Sequence, residues 1–101
     1  MSNHSFENTY DLSNEQINQL NEAEDEMLKN NLGKAEEILE NMLLEDKNCI
    51  PVLNNLAHLH GRYFSDFERA VEIYDLVLSL EPDNAWARDA RRRYMRYIGR
   101  D

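Results

Sequence analysis

Residues 50–84 read IPVLNNLAHLHGRYFSDFERAVEIYDLVLSLEPDN, and this stretch decides the fold. Pro51 suits the first turn of a helix, where its missing N–H costs little. Behind it, Leu53, Leu56, Ala57 and Leu59 recur at helical spacing and predict a helix that ends near Gly61. Ser65 and Glu68 have capping-box spacing and predict a second helix start. Phe67, Ala70, Val71, Ile73, Tyr74, Val77, Leu78 and Leu80 give that helix its apolar positions. Pro82 stops it, because proline biases the preceding residue away from the helical region.

Upstream, Ser13 and Gln16 form another capping-box pair, flanked by Leu12 and Ile17 at hydrophobic-staple positions. Ile17, Leu20, Ala23, Met27 and Leu28 then predict a helix over about 14–30, and residues 30–33 read as a tight turn. Ala35, Ile38, Leu39, Met42 and Leu43 predict the next helix. A fifth is expected from Asn84 to about Ile98. No segment alternates with period two, so no strands are expected. Residues 1–12 read as a flexible lead-in.

Aligning Ala35 with Ala70 also aligns Ile38 with Ile73, Met42 with Val77, Leu43 with Leu78 and Asp46 with Glu81. A helix pair that recurs at a fixed offset is the signature of a solenoid. Leu53, Leu56, Ala57, His60, Phe67, Ala70, Tyr74, Val77 and Pro82 resemble the tetratricopeptide repeat family, whose period is about 34 residues. That family usually has an aromatic at Leu53's position and Tyr at His60's. The earlier copy has Ala35 and Met42 in place but Lys47 where Pro is expected. The resemblance implies an all-α, antiparallel helix-pair solenoid: repeat one at about 16–49, repeat two at 50–84 and a capping helix at 85–98.

In family register Arg88, Arg91 and Arg92 fall where a further helix would pack, and water can cover arginines instead. Ala87, Ala90, Tyr94 and Ile98 form the opposite stripe, which would seal the preceding repeat. A polar-faced terminal helix is what a solenoid needs to stay soluble.

Composition narrows the function. The chain of 101 residues suits one domain and carries a net charge of −9. Residues 1–50 are net −9, residues 51–85 net −4 and residues 86–101 net +4. The bulk of the chain would repel nucleic acid and anionic membrane, and only the last helix would attract them. Its Arg-rich surface, with Tyr94 and Tyr97, supports an alternative reading as a nucleic-acid-associated protein. A second alternative is salt-sensitive head-to-tail self-association of acidic and basic ends. No apolar run approaches a membrane span, and the amino terminus lacks the basic-then-apolar pattern of a secretory signal. One cysteine allows no internal disulfide, so a cytoplasmic setting is expected.

Catalytic groups are sparse. His58 and His60 lie two apart on a helix and point about 200° from one another, so they cannot chelate one ion from that helix. His60 reads as a packed core residue, and capping accounts for Asp66 and Glu68. With no Gly-rich phosphate loop, nucleophile elbow or closely spaced Cys/His set, no enzymatic activity, cofactor or metal is expected. The family resemblance implies instead a concave groove that holds a peptide or helix of a partner protein, as in an adaptor, assembly factor or chaperone. By register it assigns Asn54, His58 and Arg62 from repeat two, and Trp86, Asp89 and Arg93 from the cap. From repeat one it assigns Asn21, Asp25 and Lys29. The family's carboxylate clamp lacks its lysine beside Asn54, which counts against binding of chaperone tails.

If the cap is needed for folding, a chain ending at Asn84 loses cooperative unfolding. Circular dichroism melts of that truncation test this, and a soluble product with a sharp transition refutes it.

Overall fold

A computed structural model describes residues 10–99. The described residues form five α-helices: α1 (Asn14–Leu28), α2 (Leu32–Glu45), α3 (Ile50–His58), α4 (Phe67–Leu80) and α5 (Ala85–Met95). A π-helical turn, Leu59–Tyr63, prolongs α3. The described residues contain no strand. Each helix packs on the next, so the fold is all-α and built as a solenoid-like series of helical hairpins. Among the described residues no helix is long and apolar enough to cross a membrane.

The amino-terminal cap follows the sequence. Ser13 Oγ accepts from the Gln16 N–H at 3.1 Å, and Gln16 Oε1 accepts from the Ser13 N–H at 2.8 Å. Helix α1 ends two residues earlier than expected, because Asn30 turns left-handed at φ 66°. The N–H of Asn30 then reaches Met27 O, and that of Asn31 reaches Glu26 O. These are the two bonds of a Schellman ending, which asparagine supports almost as glycine does. The turn is complete by Asn31, so Gly33 lies inside α2 and not in the turn.

The lead-in also differs from expectation. Residues 1–9 lie outside the described residues. Within residues 10–12, however, Leu12 is buried, and the Tyr10 hydroxyl donates to Glu81 Oε1 at 2.8 Å across 71 positions of chain. Order therefore begins before Ser13.

The internal repeat is visible in the backbone. Ala35 and Ala70 are both fully buried, and each N–H bonds the carbonyl of its helix's cap residue, at 3.1 Å to Asn31 and 3.0 Å to Asp66. The closing residues Asp46 and Glu81 share a conformation, φ −144°, ψ 89° and φ −141°, ψ 81°. Cys49 and Asn84, which open α3 and α5, match as closely. The turn carrying Lys47 thus takes the same path as the turn carrying Pro82.

The two hairpins differ where α3 meets α4. The Phe64 N–H reaches Leu59 O, five residues back, and the Asp66 N–H reaches Leu59's neighbour His60 at its carbonyl, 2.8 Å away. This widened turn carries the chain from α3 to α4. It also changes the predicted cap. Ser65 sits at φ 56°, and Asp66 caps α4 instead, with Oδ1 accepting from the Arg69 N–H at 3.2 Å.

Helix α5 closes the stack as its stripe implies. Ala87, Ala90 and Tyr94 are buried, whereas Arg88 and Arg92 are exposed and Arg91 pairs with Asp75 on α4. The Tyr94 ring lies nearly parallel to Phe67 and Tyr74, with centroids 5.8 and 6.3 Å away. It rests against Gly61, where an added Cβ would meet the ring at 2.6 Å.

Two glycine substitutions check this arrangement by urea titration. Gly33→Ala meets no atom within 4 Å and should stabilise by roughly 0.5 kcal/mol. Gly61→Ala forces Tyr94 away and should destabilise by about 1–3 kcal/mol. Equal effects at the two positions would contradict the close approach.

Candidate functional site

Helices α1 and α3 do not pack closely on one another, and a groove of about 630 Å³ opens between them and the start of α5. Its walls carry Glu24, Met27 and Leu28 from α1 and Pro51, Asn54, Asn55 and His58 from α3. Asn84 and Trp86 close the α5 end, Tyr63 adds to the wall, and Tyr10 and Leu12 cross its edge.

Local sequence explains these positions. Asn54 and His58 are four apart and share a face of α3, while Leu53, Leu56 and Ala57 fill the core. Asn84 Oδ1 accepts from the Ala87 N–H at 2.9 Å and so starts α5 at the groove edge. The first turn of α5 then projects Trp86 outward, 60% exposed. Opposite it, Leu28 is 80% exposed. Both are large apolar groups that the fold leaves in water beside a recess.

His58 sits between two rings. Its imidazole meets Tyr63 edge-on at 5.9 Å and Trp86 at 6.3 Å. Burial pushes its pKa below the ordinary histidine value, and the charges of Arg62 and Arg93 push it the same way. Asn54 Oδ1 is shielded from water and has no hydrogen-bond partner among the described residues. Glu24 is shifted upward, first by burial and then by the adjacent Asp25.

Of the residues assigned from sequence, the structure brings Asn54, His58 and Trp86 together in the groove. Arg62 and Arg93 are exposed beyond the lining, with their charges felt at His58. Asp89 is exposed and lies 4.0 Å from Arg88, outside the groove lining. Asn21 and Asp25 on α1 and Lys29 at its carboxy-terminal cap are exposed but do not line the groove. Asp25 and Lys29 each follow a lining residue by one position, and one position is about 100° of helix. The assignment leaves out nine lining residues: Tyr10, Leu12, Glu24, Met27, Leu28, Pro51, Asn55, Tyr63 and Asn84. Tyr10 and Leu12 come from the expected lead-in, Tyr63 ends the π-helical turn, and Leu28 belongs to the apolar stripe of α1 yet is exposed. Asn55, beside Asn54, carries a local signal.

The Arg-rich helix does not present two free rings. Tyr94 is buried, and Tyr97 stacks on Phe67 with centroids 4.8 Å apart.

A scan against protein-family models gives no match, and a search of curated proteins gives none either.

The depressed His58 pKa has a defined consequence for stability. Above about pH 6.5 the ring is neutral in both folded and unfolded chains and adds no pH dependence. Below that, the unfolded chain binds the proton first, and stability falls until the folded value is also passed. His58→Gln should therefore lose less melting temperature than the parent between pH 7.5 and 5.5. Parallel pH profiles would show that His58 is not the group responsible.

Proposed function

We propose that this protein is a binding module that holds a peptide or helical segment of another protein in the groove between α1, α3 and α5. The observation that carries this reading is the pairing of exposed Trp86 with exposed Leu28 across a recess containing Asn54. Covering two large apolar side chains on association is favourable at roughly 25 cal/mol per Å². Tryptophan in such a position commonly dominates binding energy. The Asn54 oxygen is shielded and unpartnered within the fold, and a rotation of its side chain would bring it to a backbone N–H of the ligand, so that its desolvation is recovered on binding. Arg62 and Arg93 beside the groove favour acidic ligands.

The resemblance to tetratricopeptide repeats supports the same surface, since that family binds along the first helices of its repeats. An adaptor, assembly or chaperone role is consistent with it. The mechanism is complementarity on a preformed surface, with no covalent step. Burial of Tyr94 weakens the nucleic-acid alternative, because of the two rings on the Arg-rich segment only Tyr97 keeps an exposed face, and its other face stacks on Phe67.

Trp86 is the chain's single tryptophan, so its fluorescence reports the groove directly. Peptides selected from a displayed library on the intact protein should shift Trp86 emission to the blue. Trp86→Ala should weaken them at least about tenfold, and Arg62→Glu with Arg93→Glu should selectively weaken the acidic ones. Peptides that bind all variants equally and leave the emission unchanged would place binding elsewhere.

A further inference from the structure

On the side of the molecule where α2 meets the π-helical turn, His60 faces two glutamates. Glu36 and Glu40 are one turn apart on α2 and share a face. One oxygen of each and one ring nitrogen of His60 all lie within 4.8 Å of one another. His60 is itself only 8% exposed, and neither of its ring nitrogens has a hydrogen-bond partner among the described residues. Its Nε2 points toward Glu36, 3.6 Å from Oε2. Its Nδ1 lies on the other side, 3.9 Å from Asp66 Oδ2.

We infer that Glu36, Glu40 and His60 form a binding site for a divalent first-row transition ion of the Zn²⁺ class. Two observations from different parts of the chain converge on it. The carboxylates supply negative charge, and a buried imidazole with no hydrogen-bond partner among the described residues supplies a ring nitrogen aimed at them. Mixed nitrogen and oxygen donors suit Zn²⁺ and its neighbours, whereas Mg²⁺ and Ca²⁺ prefer oxygen alone. Bonds of roughly 2.1 Å at tetrahedral angles put donors about 3.4 Å apart. Glutamate rotations reach that spacing from the present one, and the Glu40 side chain is exposed and can turn.

Asp66 completes the arrangement. A histidine that ligates through one nitrogen usually donates its other N–H to a carboxylate, which fixes the tautomer. Asp66 already spends Oδ1 on the α4 cap and leaves Oδ2 facing Nδ1. The π-helical turn places His60 here, and such turns are frequent at functional sites. Three protein donors leave coordination positions open to water or to a partner's side chain.

The competing arrangement is a purely structural His60 held between Glu36 and Asp66, which binds no metal. Titration of the chelator-treated full chain with Zn²⁺, against a fluorescent competitor, separates the two. The site predicts saturable one-to-one binding and a rise in melting temperature on the order of 10 °C at about a hundredfold excess over Kd. Glu40→Gln and His60→Gln should each weaken binding at least about tenfold. Asp25→Asn, a control for the acidic surface, should stay within about twofold of the parent. Glu40 is exposed, so its variant tests the site even if His60→Gln fails to fold. Long-range ¹H–¹⁵N spectra should show His60 Nε2, and not Nδ1, responding to the ion. No saturable binding up to about 100 µM Zn²⁺, unchanged affinity in Glu40→Gln, or a response at a different histidine overturns the proposal.

Discussion

The rest of the structure depends on the contact between the Tyr94 ring and the backbone at Gly61. Two helical hairpins cannot by themselves bury the last apolar face, which carries Phe67 and Tyr74. Helix α5 covers that face, and it reaches it through one large ring stacked among aromatics. The ring needs a neighbour without a side chain, and Gly61 is that neighbour. At the other end of α5 the Asn84 cap sets the first turn, and Trp86 meets the His58 ring at the end of the groove. The helix that closes the core thus also carries the Trp86 end of the groove.

The two hairpins differ in the turn between their paired helices. In a regular repeat the turn between paired helices is short and its carbonyls are satisfied within the helix. Here the chain widens to a π-helical turn and then places Ser65 in the left-handed region before Asp66 restarts the helix. The widening is stabilised by its own hydrogen bonds, including the one from Asp66 to the His60 carbonyl. Its effect is to hold His60 inside, between α2 and the cap of α4. A residue in a core-facing repeat position thus acquires a polar environment on both sides.

The groove combines apolar walls with a basic margin on an acidic protein. Leu28 and Trp86 provide area, Asn54 provides an acceptor, and Arg62 and Arg93 provide charge. These features arise on three helices separated by most of the chain, and the Tyr10–Glu81 hydrogen bond ties the amino-terminal edge of the groove to the end of α4. The exposed arginines of α5 have a structural duty as well. They keep the uncovered face of the last helix in water, and Arg91 anchors it to Asp75.

Much of this architecture follows from local rules. Helical periodicity, the Ser13 cap, Pro51 and Pro82 mark the helices, and the Ala35–Ala70 alignment marks their repetition. These are signals of nearest neighbours along the chain, where steric preference and burial period act directly. Helix ends were less legible, because Asn30 and Asp66 took roles that Gly33 and Ser65 also fit. The rotation of α1 was not legible either, since a one-residue change of register turns a face by about 100° without altering its periodicity. The sequence by itself therefore determined which segments are helical, that their pattern recurs and that α5 has one apolar and one Arg-rich face. Only the tertiary structure decided which side chains share the groove, and which carboxylates surround His60. Those juxtapositions depend on how far apart rigid helices come to rest, a distance set by packed volume and not by any order of residues.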